Sequence, residues 1–397
     1  MINMNRFKVN LMELAKISDA GEGVTRLGFT PTFFKGRDFI QKLMHEVGLK
    51  TKIDSVGNLI GRWKGKQPDK QIIAIGSHID TVPNGGKYYG AIGVLGAIEV
   101  LWSLKEMNYQ SVHPIEVISF INEEGSAPAN IGGDFGSCAM MGLINNIDKN
   151  LEREFFRVKL TRKDLVNSYR EPGQFKCYLE MHIEQGSILE QNNLSIGIVT
   201  SIVGSWRFLA NIKGISSHAG TTPMNQRDDA LLKSLPVIQY VNEIAKEINK
   251  GMVGTVGGVT VKPGAFNVVP GEVILKLEFR SINIACLEKA VKMLQDKMRL
   301  INGSNLQIVS KSDPVMLDDN LQSVISQICE NSKIKHIRMP SFAGHDARET
   351  AKKMPTALIF VPSKDGISHS PLEFTPDDAI EKGIFVLLET VKRADIE

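Results

Sequence analysis

Residues 71–79 read Gln-Ile-Ile-Ala-Ile-Gly-Ser-His-Ile and run on into Asp80 and Thr81. An apolar run this short, followed by a glycine-bearing loop, reads as a buried strand, and it ends on His78. The loop carries Gly85-Gly86-Lys87-Tyr88-Tyr89-Gly90, and 91–107 (AIGVLGAIEVLWSLKEM) then has the length and spacing of a helix. The pattern recurs. Residues 115–121 (IEVISFI) form a second strand that delivers Asn122, Glu123 and Glu124, and 177–183 (CYLEMHI) a third that delivers His182. Strand–helix alternation of this kind implies an α/β domain built on a mainly parallel sheet. Such sheets bind ligands beyond the carboxyl ends of their strands, which is where these polar residues fall.

The pattern changes at about residue 207. A strand over 207–215, a helix over 228–250, strands over 254–261 and 268–281, a helix over 285–300 and a strand over 305–310 follow in order. The sequence β-α-β-β-α-β is that of a ferredoxin-like α+β sandwich. It reads as an insertion, because Gly366-Ile367-Ser368-His369 comes only after it, behind a helix over 320–331 and a strand over 356–361. The expected division is a discontinuous catalytic domain, 1–206 with 318–397, and an inserted lid or dimerisation domain, 207–317.

Charge excludes some functions. Formal net charge is +3 over 397 residues, too little for a dedicated nucleic-acid surface. The four cysteines are scattered without a CxxC pair, which suits reduced thiols and argues against a cysteine-based zinc site. The first eight residues lack a long apolar core, and no stretch reaches membrane-spanning length without charges. The expectation is a soluble, cytoplasmic protein that meets neither membrane nor nucleic acid. Gly85-Gly86 and the glycines of 254–258 do not fit a dinucleotide-binding turn.

Catalytic zinc sites draw on imidazole nitrogen and carboxylate oxygen and leave a position open for water. His78, His182 and His369 offer three imidazoles, and Glu124 a carboxylate. A single histidine is more often a satisfied core residue, but three at strand ends beside a Glu-Glu pair favour a site. Asp80, two residues beyond His78, is placed to orient that imidazole. Adjacent Glu123 and Glu124 can divide the work, one binding metal and one moving protons.

With these motifs the chain resembles the N-carbamoyl-L-amino-acid hydrolase, allantoate amidohydrolase and β-ureidopropionase group of dinuclear metal amidohydrolases. The likeness spans nearly the whole chain. It includes Ser217-His218-Ala219-Gly220-Thr221-Thr222-Pro223-Met224, Asn267-Val268-Val269-Pro270-Gly271, Phe279-Arg280-Ser281 and Ala343-Gly344-His345-Asp346-Ala347. The resemblance implies two divalent metals, Zn or Mn, with His78 and His182 on the first and Glu124 and His369 on the second. It implies Glu123 as general base, and Gln185, Asn267 and Arg280 as holders of a carbamoyl or ureido substrate with a carboxylate. His218 would stabilise the oxyanion, in a homodimer joined through the smaller domain.

The sequence departs from that pattern at Tyr89, where the family has an Asp that bridges both metals. A neutral phenol does not supply two anionic oxygens, so weakened assembly with one metal or none is expected. Further departures are Ala127-Pro128 after Glu-Glu-Gly-Ser, Cys138 after Gly136-Ser137, and Ser205-Trp206 after Gly204. Two other readings stay open: a non-catalytic or weakly active homologue that binds a small carboxylate, and an aminopeptidase- or dipeptidase-like hydrolase.

Overall fold

The computed structural model describes residues 2–145, 147–249 and 251–396. The chain divides into two compact units, Met1–Thr200 with Met316–Glu397, and Ser201–Val315.

In the first unit the strands Ile115–Phe120, Ile72–His78, Phe175–Ile183 and Thr356–Val361 lie side by side and parallel. Antiparallel strands flank them: Leu59–Trp63 and Lys50–Ile53 on one side, Ile196–Ile202 on the other. The fold is therefore mixed α/β with a mainly parallel sheet, as the alternating runs imply. Every residue of Ile72–His78 and of Ile115–Phe120 is buried. Helices cover both faces of such a sheet, so its strands are apolar throughout rather than alternating.

The helix Ala91–Glu106 is apolar on nearly all sides because it is enclosed. It packs on the His78 and His182 strands and under the helices Met4–Lys16, Pro31–Val47 and Asp377–Ile396. Burying each Leu, Ile or Val in it stabilises by about 1.5–3 kcal/mol. Its one buried carboxylate, Glu99, is held by Arg6 through bonds of 2.7 and 2.8 Å. A close approach to the sheet depends on Gly93, where a Cβ would lie 2.4 Å from the Met181 carbonyl oxygen. The start of this helix is thus pressed against the strand that carries His182.

The second unit is an antiparallel sheet in the order Ser304–Ser312, Gly204–Lys213, Glu272–Ser281, Val253–Lys262, with helices Ala230–Ile248 and Ile284–Arg299. In chain order this is β-α-β-β-α-β, the ferredoxin-like arrangement. Its own core includes Phe208, Phe279, Leu275, Val241 and Leu287. Asp229 caps the first of these helices, accepting from the Leu231 and Leu232 amides. The helix ends at Ile248, and Lys250, the last residue of the expected 228–250 span, lies outside the described residues. The expected strand over 268–281 is broken at Pro270-Gly271 into Val268–Val269 and Glu272–Ser281. Proline lacks the amide proton a continuous ladder needs.

Candidate active site

His78 is the last residue of its strand, and the parallel register pairs it with Phe120. Glu123 and Glu124 therefore emerge from the neighbouring strand at the same sheet edge. Asp80 fastens the two strand ends together: its carboxylate accepts the Glu123 amide on Oδ1 and the Glu124 amide on Oδ2, each at 3.1 Å. The His78 imidazole faces Asp80 as well, with Nδ1 at 3.1 Å from the carbonyl oxygen and 3.5 Å from Oδ1. Both partners are acceptors, so Nδ1 carries a proton. On its other side, Nε2 lies 3.5 Å from Glu123 Oε2.

The charges in this corner do not balance. Burial pushes the Glu123 carboxyl well above the usual carboxylate range; His78 counteracts this and Glu124 adds to it. Burial alone would lower the His78 value, but Glu123, Asp80 and Glu124 raise it well above that of a free imidazole. A pocket that pulls protons this way carries more anionic groups than cationic ones, and a bound cation would neutralise it.

His182 is the last residue but one of the strand Phe175–Ile183. Its Nδ1 donates to the Ile183 carbonyl at 2.9 Å, which leaves the lone pair on Nε2. That lone pair accepts the Gly90 amide at 2.9 Å. Burial and the neighbouring His78 push His182 down to about 3, so it stays neutral. His345 packs edge-on against it with ring centroids 4.5 Å apart. His369 lies in the loop between the strand Thr356–Val361 and the helix Asp377–Ile396. Its Nε2 sits 3.1 Å from Glu124 Oε1 and 3.0 Å from the Gln185 side-chain nitrogen. Asn122, Gln185 and His369 all have left-handed backbones, with φ of +57°, +59° and +55°. Non-glycine residues in that region cost about 1–3 kcal/mol each, and such strain gathers at functional sites.

Tyr89 stands among the three imidazoles. Its ring centroid is 4.9 Å from that of His369, 5.9 Å from His78 and 6.4 Å from His182. The hydroxyl accepts the Val82 amide at 2.9 Å. Burial, and then the charge of Glu124, raise its pKa further above the ordinary phenol value, so the group is neutral.

The structure thus brings His78, Asp80, Tyr89, Glu123, Glu124, His182, Gln185 and His369 together in the first unit. His218, Asn267 and Arg280 belong to the second. There His218 pairs with Val268, and the Asn267 carbonyl accepts the Ala219 amide at 2.9 Å, so these two are neighbours. Arg280 is forked by Glu278 through Nε (2.9 Å) and Nη2 (3.2 Å).

Two carboxylates escaped the sequence reading. Glu373 accepts the Tyr88 and Tyr89 amides at 2.9 and 3.1 Å and the Ser368 hydroxyl at 3.0 Å, tying the Tyr89 loop to the His369 loop. Nothing local distinguishes it. Glu180 is fully buried two residues before His182 and accepts from Ser77 and the Ala347 amide. A glutamate inside an apolar strand was the available signal.

The model of peptidase family M20/M25/M40 matches residues 74–393. The chain belongs to this family. It is 35% identical over 408 residues to an N-carbamoyl-L-amino-acid amidohydrolase of Paenarthrobacter aurescens, covering 98% of each chain. It is also 35% identical over 382 residues to an allantoate amidohydrolase of Escherichia coli K12, covering 93% of this chain and 92% of the other. Among solved structures, an amidase of the hydantoinase/carbamoylase family from Burkholderia multivorans superposes with a TM-score of 0.86 at 33% identity. That match covers 100% of this chain and 98% of the other.

The donor set of this M20-family chain fits a divalent cation. One ligand atom from each of His78, Glu123 and Glu124 lies within 4.8 Å of the others. Zinc–ligand bonds of about 2.0–2.2 Å in tetrahedral geometry place two donors about 3.3–3.6 Å apart, a spacing that His78 Nε2 and Glu123 Oε2 already have at 3.5 Å. Among the described residues, no helix is long and apolar enough to cross a membrane.

Proposed function

We propose that the chain is a metal-dependent amidohydrolase that cleaves a linear C–N bond in a small N-carbamoyl or ureido substrate bearing a carboxylate. The observation that carries this reading is the Asp80 clamp. It holds Glu123 and Glu124 beside His78 at the carboxyl edge of a parallel sheet, in a chain 35% identical to two amidohydrolases.

A divalent metal, Zn or Mn, would be held by His78 and Glu124 and would supply Lewis-acid polarisation and activation of water. Glu123, buried and with a raised proton affinity, accepts the proton of the attacking water and returns it to the leaving nitrogen. Gln185, Asn267 and Arg280 are assigned to hold the substrate. Arg280 suits a carboxylate through its planar fork. His218 is assigned to the oxyanion.

The second unit serves as lid and dimerisation module of a homodimer. Its strand Val253–Lys262 is a sheet edge that exposes Val253 and Val259, and exposed edges favour pairing. The four free cysteines suit a cytoplasmic enzyme.

The test is ammonia release from N-carbamoyl-L-amino acids, allantoate and ureidoglycolate by Mn- or Zn-loaded protein. Turnover is expected with at least one of them. Rates no higher than those of Glu123→Gln on every substrate would sink the proposal. A second reading, a homologue that binds such a carboxylate without cleaving it, draws on Tyr89, whose buried neutral phenol stands where the family has an acid. Saturable binding without turnover would favour it.

A further inference from the structure

Four polar side chains meet on one face of the second unit's sheet. The strands Gly204–Lys213 and Glu272–Ser281 run antiparallel, with Ser205 opposite Arg280 and Arg207 opposite Glu278. Alternate residues of a strand share a face, so these four stand on the same side. Trp206 and Phe279 lie between them on the other side and are buried in the unit's core, which pins both backbones. Glu278 is the centre of the group. Its Oε1 accepts the Ser205 hydroxyl at 2.7 Å, Arg207 Nε at 2.7 Å and Arg280 Nη2 at 3.2 Å, and its Oε2 accepts Arg280 Nε at 2.9 Å. Burial alone would raise this carboxyl, but the hydrogen bonds from Arg280, Arg207 and Ser205 hold it at about 2, so it is an anion at neutral pH.

A guanidinium is planar, and bonds from one carboxylate to both Nε and Nη2 fix its plane and its turn on the long side chain. An arginine without such a partner orders several rotatable bonds when it grips a ligand, and that ordering weakens binding. We propose that Glu278 is a positioning residue, which fixes the Arg280 guanidinium in the orientation that receives the substrate carboxylate and is itself held in place by Ser205 and Arg207. The inference rests on the assignment of Arg280 to that carboxylate made above. Ser205 is one of the departures noted in the sequence, and it has a definite partner here. Two arginines against one glutamate leave these side chains one positive charge in excess, which suits a ligand carboxylate.

The experiment compares the metal-loaded parent with Glu278→Gln on the substrate found by screening, with folding of each variant verified by circular dichroism. Glu278→Gln should raise KM about 10–30-fold and leave kcat within about threefold. Glu278→Asp is the second variant: it keeps the charge but is one methylene shorter, and KM should rise there too. In an Arg280→Ala background, Glu278→Gln should change kcat/KM by less than about twofold, since no guanidinium is left to orient. A purely electrostatic role has the opposite sign, because removing a negative charge beside Arg280 would lower KM for an anionic substrate. An unchanged or lower KM in folded Glu278→Gln, or an effect undiminished in the Arg280→Ala background, would overturn this inference and leave the hydrolase reading standing. If no substrate turns over, that reading fails, and the same variants are compared by calorimetric Kd for N-carbamoyl-L-alanine, with the same shifts expected. A folded parent that neither cleaves nor binds would overturn both.

Discussion

The two sheets of this protein handle polar residues in opposite ways. In the first unit the strands Ile72–His78 and Ile115–Phe120 are buried along their whole length, and the groups with chemistry stand at or just beyond their ends. In the second unit Glu272–Ser281 alternates between buried and more accessible positions, and Glu278 and Arg280 share one face with Arg207 of the neighbouring strand. A sheet covered on both faces holds a polar side chain within a strand only where neighbours satisfy it, as Ser77 and the Ala347 amide do for Glu180, so a histidine at a strand end stands out. A sheet open on one face carries charges along its length, most of them merely solvated. The same residue type is therefore informative in one unit and almost silent in the other.

Substitutions can break or sharpen this contrast. The largest effect is expected from Glu123→Gln at the end of a buried strand. It should lower kcat about 10²–10⁴-fold with folding intact, measured as ammonia release on the substrate found by screening. A residual rate near the parent value would remove Glu123 from the proton-transfer role.

Next comes Asp80→Ala, which leaves the Glu123 and Glu124 amides without their acceptor. About 1–3 kcal/mol of stability per orphaned amide should be lost in urea unfolding, with kcat/KM down about 10–100-fold. If stability falls while metal affinity and kcat/KM hold, the clamp is structural only.

Gly90→Ala should cost about 1–3 kcal/mol from its left-handed backbone, and more from the contact with His78. An unchanged unfolding midpoint would contradict the close packing of Gly90 on that ring.

The smallest effect belongs to the open sheet. Burial alone would raise the Glu278 carboxyl, but hydrogen bonds from Arg280, Arg207 and Ser205 outweigh it and hold the group at about 2, against an ordinary value of 4.5. The folded form is the stronger acid. Its contribution to stability is therefore fully present above about pH 4.5 and is lost as the pH falls towards 2. Glu278→Gln should flatten that part of the stability–pH curve while changing stability at pH 7 by only about 1 kcal/mol. An identical acid limb in parent and variant would show that Glu278 contributes nothing there.

Much of the architecture was legible in the residues. The apolar runs that end on His78, Ile121 and Ile183, and the switch to a β-α-β-β-α-β pattern, are consequences of burial and periodicity that local sequence records directly. The Glu-Glu pair and the histidines were legible for the same reason. Glu373 was not, because its importance comes from holding the Tyr88 and Tyr89 amides 285 and 284 residues away in the chain. From the chain alone Asp80 is a partner for one imidazole; in the structure its carboxylate accepts the Glu123 and Glu124 amides that follow another strand.

Tyr89 marks the boundary between the two kinds of knowledge. From the chain alone it is a phenol in the place of a carboxylate, neutral and unable to bridge cations, and that much follows from side-chain chemistry. Where its hydroxyl points, and that the next amide occupies His182, depends on how Gly90 is packed between two imidazoles at the start of a buried helix. Hydrogen bonds between residues 90 and 182 are set by the close packing of helix on sheet, and no local pattern of residues encodes them.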